Sequence, residues 1–153
     1  MHFSLRIILI FAATFVGVNV AHGACVKISG ITYCGPGQCI QNNGIAHCSP
    51  HRYGHAIVTN GQAFCGAGQC TVTNGKAYCS QYSGGGIIVV SGRAYTGAGR
   101  CVQASGVAAC SSEPWGGCKI NNALAVCQGG SQRDLARLGE RCVRGKRQPS
   151  TPR

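Results

Sequence analysis

The apolar positions of this chain fall in short runs that come in pairs, and a small two-residue break separates the runs of each pair. The resulting ten-residue segment occurs seven times: CVKISGITYC, CIQNNGIAHC, AIVTNGQAFC, CTVTNGKAYC, IIVVSGRAYT, CVQASGVAAC and CKINNALAVC. These copies begin at Cys25, Cys39, Ala56, Cys70, Ile87, Cys101 and Cys118. Asn-Gly or Ser-Gly between two apolar runs is typical of a tight β-turn. The pattern therefore predicts seven β-hairpins.

The position of each turn fixes which residues of a hairpin face each other. With Ser29 and Gly30 at the turn of the first copy, Cys25 and Cys34 become a directly opposed, non-hydrogen-bonded pair. The Cα atoms of such a pair lie ~4.5 Å apart, within the ~4.4–6.8 Å range of disulfides. Each Cys-x8-Cys segment should therefore form a disulfide across its own hairpin.

The imperfect copies are consistent with this pairing. The fifth copy has lost both cysteines, whereas the third has lost one and leaves Cys65, which Cys142 outside the repeats can match. The predicted pairs are Cys25–Cys34, Cys39–Cys48, Cys70–Cys79, Cys101–Cys110, Cys118–Cys127 and Cys65–Cys142. The main alternative pairs cysteines of neighbouring hairpins, for example Cys34 with Cys39.

Two hairpins and their connections form a repeat of 31 residues. We expect a small, disulfide-rich, all-β protein in which tandem hairpins at 24–130 form a solenoid or a meander; miniature propeller blades are a further alternative. Alternation divides the hairpin residues between a face of cysteines and alanines and a face with an aromatic stripe. The stripe should be a buried or half-buried sheet face, with a glycan-stacking surface or a row of tyrosines for cross-linking as alternatives. Trp115 should be buried against the repeats, and it would be a binding anchor if it were exposed.

The two ends of the chain differ from the repeats. Residues 1–23 have the basic start, short apolar run and small residues of a secretory signal peptide, with cleavage expected after Gly23. Residues 131–143 are expected to form a helical cap, because Leu135, Leu138 and Cys142 are spaced by three and four. Residues 144–153 are expected to form a basic, disordered tail, and a basic motif ending at Arg147 is a candidate processing site.

Composition and charge narrow the possible functions. Twelve cysteines in 153 residues are typical of a disulfide framework in an oxidising compartment. The formal charge is +11, and it is concentrated toward the C-terminus. A basic segment of this kind can bind polyanions by neutralising their charge. The candidate polyanion-binding residues are Arg137, Arg141, Arg144, Lys146 and Arg147.

Catalysis and metal binding have little support in the residues. Three carboxylates in the chain are too few for a two-carboxylate hydrolase or an oxygen-ligated metal site. His47, His51 and His55 are spaced by four, but Pro50 and Gly54 interrupt the helix that would align them. We therefore predict no catalytic residues, no metal and no cofactor.

These observations predict a secreted, extracellular, non-enzymatic structural or interaction protein. Its partner would be an extracellular protein, a glycan or an anionic surface, without specific nucleic-acid binding and without a transmembrane segment. One alternative is a cationic antimicrobial or toxin-like defence protein. Another is a protease inhibitor that presents Arg52 or Arg100 in a disulfide-braced loop.

Overall fold

The computed structural model describes residues 24–149, and this part of the chain contains strands and turns but no helix. Residues 1–23, which include the predicted signal peptide, and residues 150–153 lie outside the described part. Seven antiparallel hairpins come first in the described part of the chain. Their strands are β1 Cys25–Ile28, β2 Ile31–Cys34, β3 Cys39–Asn42, β4 Ile45–Cys48, β5 Ala56–Thr59, β6 Gln62–Cys65, β7 Cys70–Thr73, β8 Lys76–Cys79, β9 Gly86–Val90, β10 Arg93–Gly97, β11 Cys101–Ala104, β12 Val107–Ser111, β13 Cys118–Asn121 and β14 Leu124–Cys127.

The hairpin prediction and its register are confirmed. Both residues of each two-residue turn have positive φ, as at Asn43 (49°) and Gly44 (74°), which is the geometry that twists the two strands correctly. Cys25 pairs with Cys34 in the first hairpin, and each later hairpin repeats this register. The seventh turn alone among the described hairpins has alanine, Ala123 with φ 62°, where the others have glycine.

Consecutive hairpins contact each other in chain order. Backbone hydrogen bonds join the residues that precede their first strands: Gln38 N–H donates to Gly54 O at 2.9 Å, and His55 N–H donates to Gly68 O at 3.1 Å. The turns are also linked, because Asn42 Nδ2 donates to Gly61 O of the next hairpin at 2.7 Å. The hairpins therefore form a row in which neighbours are hydrogen-bonded near their first strands and, for several pairs, also at their turns.

The interior of this row consists of small side chains. Cys48, Cys65 and Cys110 are fully buried, and the hairpin alanines Ala46 and Ala77 are nearly so. This agrees with the expectation that the cysteine–alanine face packs closely, since small residues allow sheet layers to approach. The aromatic stripe, which includes Tyr33, Phe64, Tyr78 and Tyr95, is half-buried.

A buried serine lies at or just after the end of the second, fourth and sixth hairpins and shapes the connection to the next repeat. Ser49, Ser80 and Ser111 are at most 1% exposed. Each accepts a backbone N–H from two residues later, for example Tyr82 N–H to Ser80 Oγ at 3.2 Å. This local hydrogen bond is a common way for serine to form a turn. The three connections consequently share one backbone shape.

The helical cap predicted at 131–143 is wrong. After the seventh hairpin the chain runs extended and pairs with the second strands of six hairpins in reverse order. We call Ser131–Arg147 the strap. Its strands are β15 Ser131–Gln132, β16 Asp134–Leu135, β17 Arg137–Leu138, β18 Glu140–Arg141, β19 Val143–Arg144 and β20 Lys146–Arg147, which pair with β12, β10, β8, β6, β4 and β2.

The strap is extended because its sequence has a period of three, one triplet for each hairpin. Ala136, Gly139, Cys142 and Gly145 are its small positions, and they lie against the hairpins. A Cβ at Gly145 would be 3.0 Å from Cys48 Sγ and 3.0 Å from Tyr33 Cβ, so only glycine fits there without a shift. The spacing that suggested an apolar helix face instead leaves the strap leucines about two-thirds exposed, with Leu135 at 64%.

The disordered tail predicted at 144–153 is also wrong over 144–147, because Val143–Arg144 and Lys146–Arg147 form ladders with β4 and β2. Six disulfides connect the described chain, and they join the same pairs that the cysteine spacing predicts. Five lie within hairpins. The sixth, Cys65–Cys142, ties the strap to the third hairpin.

Candidate binding surfaces

The first candidate surface is the basic part of the strap. The strap pairs Arg141 with Phe64, Arg144 with His47 and Arg147 with Tyr33, each in a different hairpin. All three arginines are exposed. Consecutive arginines of this row are three positions apart, so their Cα atoms lie at most ~10 Å from each other, the length of three extended residues. Arg137 and Lys146 are two further exposed cations of the strap.

The acidic residues of the strap are engaged elsewhere. Glu140 Oε1 contacts His51 Nε2 at hydrogen-bonding distance, and within residues 24–149 no Lys or Arg forms a salt bridge with a carboxylate. Asp134 Oδ2 accepts hydrogen bonds from Tyr82 Oη and from Gln132 Nε2, the latter at 2.8 Å. Within the described residues, the strap cations therefore have no carboxylate partner and remain available to an external anion.

Hydrogen bonds around Asp134 and Gln132 also hold the beginning of the strap in place. Gln132 Nε2 donates to Tyr82 Oη at 2.6 Å, and Gln132 Oε1 accepts the backbone N–H of Ala98 at 3.2 Å. The hydrogen bond to Asp134, assisted by desolvation and by the negative charge of Asp134, raises the pKa of Tyr82 above its ordinary value of 10.0. The phenol therefore stays protonated and remains a donor to the strap.

The second candidate surface is formed by the connections between repeats. Tyr53, Gly84 and Trp115 occupy equivalent positions, and all three have left-handed backbone with φ of 63°, 65° and 63°. Glycine adopts this conformation readily, whereas bulky aromatic residues adopt it at a cost of about 1–3 kcal/mol. The far end of the Trp115 indole occupies the space above Gly84, where a Cβ would lie 2.2 Å from Trp115 Cη2.

The two aromatic rings meet across this glycine. The ring centroids of Tyr53 and Trp115 are 5.2 Å apart in an edge-to-face arrangement, and Arg52 Cζ lies 5.1 Å from the Tyr53 centroid. Tyr53 is 45% and Trp115 61% exposed. The expectation that Trp115 is buried is therefore wrong: the glycine at position 84 lets the indole lie across the connections instead of packing into the row.

An open groove of about 420 Å³ runs beside these rings. Its lining contains no Lys, Arg, Asp or Glu; it consists of Ala24, Gly37, Gln38, Tyr53, Gly54, His55, Gln69, Gly84 and Trp115. Gln38 Oε1 accepts the backbone N–H of Ala56 at 3.1 Å, which fixes the side-chain amide in place. Desolvation lowers the pKa of His55 below its ordinary value of 6.5, which favours the neutral imidazole at neutral pH.

The other sequence-based candidates do not converge on one site. His51 pairs with Glu140, His47 lies in the β3–β4 ladder, and His55 lies in the groove. Within residues 24–149, no cluster of three or more His, Cys, Asp or Glu side chains is arranged to hold a metal ion. The same part of the chain has no helix long and apolar enough to cross a membrane.

Comparison with known proteins adds no further assignment. No protein-family model, no curated protein and no solved structure matches this chain at a significant level. The residues themselves define the class as a small, disulfide-rich, all-β repeat protein. Many disulfides in a small protein are typical of extracellular proteins.

Proposed function

We propose that the protein is a secreted, non-enzymatic scaffold that binds an acidic polysaccharide through the strap. We propose further that the hairpin row is a solenoid which holds the strap straight and presents its cations at regular intervals. The disulfides support the rigidity of such a scaffold, because short two-stranded hairpins are marginal on their own in water.

The observation that carries the proposal is the row formed by Arg141, Arg144 and Arg147. Each arginine is exposed, each belongs to the triplet that pairs with a different hairpin, and none has a carboxylate partner within the described residues. Backbone pairing to a hairpin removes the main-chain freedom that such cations would have in a flexible tail. A linear polyanion could then contact several of them with a small entropic cost.

The row favours a linear anionic chain over a folded acidic protein. A guanidinium group forms paired hydrogen bonds with sulfate or carboxylate, the two anionic groups of acidic polysaccharides. Arg141 also lines a cleft of about 260 Å³ with the side chains of Asn42, His47 and Gln62, which can accommodate one such group. The disulfide framework fits the oxidising extracellular space in which these polysaccharides occur.

Heparin, a sulfated polysaccharide, is a suitable probe. We expect the wild-type chain to bind heparin with an affinity that falls steeply as salt is raised, because counterions are released on binding. The R141Q/R144Q/R147Q variant should lose at least about tenfold in affinity, and the slope of log K against log salt should decrease by roughly 1 per lost contact. Isothermal titration calorimetry over a salt series measures both quantities.

A matched variant separates position from net charge. K27Q/K76Q/K119Q removes the same charge from exposed lysines in the hairpins and should bind heparin almost as well as the wild type. Equal losses in the two triple variants would refute a site on the strap. Binding to anionic phospholipid vesicles that is as tight as binding to heparin would instead favour the alternative of a membrane-active defence protein.

Secretion needs a test of its own. N-terminal sequencing and intact mass of the protein exported by a eukaryotic host should give a chain that begins at Ala24 and contains no free thiol. A product that keeps residues 1–23, or one that stays in the cytosol, would contradict the extracellular assignment.

A further inference from the structure

The groove beside Tyr53 and Trp115 is separate from the strap and has different chemistry. The polysaccharide proposed for the strap requires cations, whereas the lining of the groove contains no Lys, Arg, Asp or Glu. It combines two exposed aromatic rings with the side-chain amides of Gln38 and Gln69. Concave surfaces with an aromatic wall and a few fixed polar groups are typical of ligand sites.

From this geometry we propose that the groove is a binding site for an uncharged carbohydrate. One sugar ring would stack its C–H face on the Trp115 indole, and its hydroxyl groups would hydrogen bond to the amides of Gln38 and Gln69. Tryptophan suits this role because it offers a large apolar face at the cost of few rotatable bonds.

The backbone of the connections supports a binding role for the aromatic residues. The shared conformation at positions 53, 84 and 115 is one that glycine adopts without strain, and Gly84 shows that the connection closes without an aromatic residue. Tyr53 and Trp115 therefore occupy left-handed positions that the fold alone would give to glycine. Strain that is retained beside an open groove is commonly associated with function.

The contacts of the rings also make the site rigid before a ligand arrives. The edge of the Trp115 indole rests over Gly84 and against Tyr53, and Arg52 lies over the Tyr53 ring. Gln38 is held by its hydrogen bond to Ala56 N–H, which leaves its Nε2 group available as a donor. A preorganised site loses less entropy on binding, which matters for the weak individual contacts that sugars make.

Cellohexaose and N-acetylchitohexaose are suitable probes, because both are uncharged and have flat, apolar ring faces. Trp115 is the only tryptophan in the chain, so its fluorescence reports directly on the groove. We expect at least one of the two oligosaccharides to change the emission in a saturable way, with Kd in the range of about 10 μM to 1 mM. About 0.5 M NaCl should leave this Kd unchanged within twofold, since no ion pair is involved.

Variants test the assignment by calorimetry. W115A should weaken binding at least about tenfold, because it removes the stacking surface. Y53A should weaken binding about threefold or more, because the Trp115 indole then loses its contact with the Tyr53 ring. L124A removes another highly exposed apolar side chain, from the seventh hairpin and outside the groove, and should bind like the wild type. Intact mass with six disulfides and an unchanged circular dichroism spectrum establish that each variant is folded.

Several outcomes would overturn the inference. These are saturation by neither oligosaccharide up to about 10 mM, unchanged affinity in W115A, or a stronger response to the oligonucleotide dT6 than to either sugar. Heparin binding by the wild type and by W115A is measured in parallel. If the protein binds heparin but neither oligosaccharide, only this inference is refuted. If it binds an oligosaccharide but not heparin, only the proposed function is refuted.

Discussion

Cys142 of the strap is disulfide-bonded to Cys65, whose hairpin has Ala56 in place of the partner cysteine. The loss of one cysteine from the third hairpin is thus matched by a gain in the strap. Because every triplet of the strap can in principle face every hairpin, a covalent bond at one hairpin defines the register for the others. The Cys65–Cys142 bond therefore specifies which triplet pairs with which hairpin.

The first prediction concerns this bond. Removing it in C65A/C142A should lower the free energy of unfolding by about 4.5 kcal/mol, because the unfolded chain regains the freedom of a long loop, against about 2.7 kcal/mol for the hairpin bond in C25A/C34A. Denaturant unfolding at equilibrium measures both values. Equal losses in the two variants would contradict this dependence on loop length.

The second prediction concerns the small positions of the strap. G145A should lower the free energy of unfolding by about 1–3 kcal/mol, since the added methyl group meets Cys48 and Tyr33 in a packed layer. G117A is the control, because its new Cβ would lie 3.5 Å from the end of the Gln128 side chain. Thermal unfolding measures the difference. A G145A protein as stable as G117A would contradict close packing of the strap.

The third prediction concerns the turn of the seventh hairpin. A123G should raise the free energy of unfolding by about 0.5–1 kcal/mol, because the left-handed φ of 62° strains alanine and does not strain glycine. A125G, two residues later in β14, should instead lower the stability by about 0.5–1 kcal/mol, since strand glycine only adds freedom to the unfolded chain. The two variants should therefore move the thermal midpoint in opposite directions.

The fourth prediction concerns pH. Tyr82 has a raised pKa in the folded chain, mainly because of its hydrogen bond to Asp134. Its contribution to stability is complete below the unfolded pKa of 10.0 and is lost as the pH rises through the higher folded pKa. In D134N the pKa of Tyr82 should fall toward its ordinary value. Ultraviolet titration of phenolate, with Y82F as the reference, detects the change; identical curves for D134N and wild type would contradict the contact.

The hairpins could be predicted from the sequence because their determinants are local. A turn pair such as Asn43-Gly44 fixes both the bend and the register, and the register in turn brings Cys39 opposite Cys48. No long-range information is needed for either step. Hence the seven hairpins, their strand pairing and their close-packed alanine face follow from residues within ten positions of each other.

The strap could not be predicted in the same way, because its structure is determined by partners far along the chain. Leu135 and Leu138 are three residues apart, a spacing shared by one face of a helix and by a strand that meets one hairpin per triplet. The small residues Gly139 and Gly145 favour the extended alternative, and glycine is a poor helix former. The glycines alone do not decide between a helix and an extended strap. The extended conformation is favoured once the hairpin row provides strand edges with which the strap can pair.

The aromatic groove was not predicted from the sequence, for a related reason. Tyr53 and Trp115 are 62 positions apart in the sequence, and their contact depends on the absence of a side chain at Gly84 between them. Equivalent positions in a repeat come close in space when the repeats stack. Alignment of the three connections places Tyr, Gly and Trp in one column, and this column is the signal from which the cluster could have been anticipated.

The reverse course of the strap has a consequence for how the molecule assembles. The strap begins beside the sixth hairpin, where Gln132 pairs with Cys110, and ends beside the first, where Lys146 pairs with Cys34. If pairing starts at the sixth hairpin and proceeds stepwise, each new triplet of the strap lies next to the hairpin strand that it pairs with. Every step then closes only a short loop, although the paired residues lie farther and farther apart in the sequence. Completion of the fold then awaits synthesis of the strap, and the first hairpin, which is made before the other six, is the last to be paired.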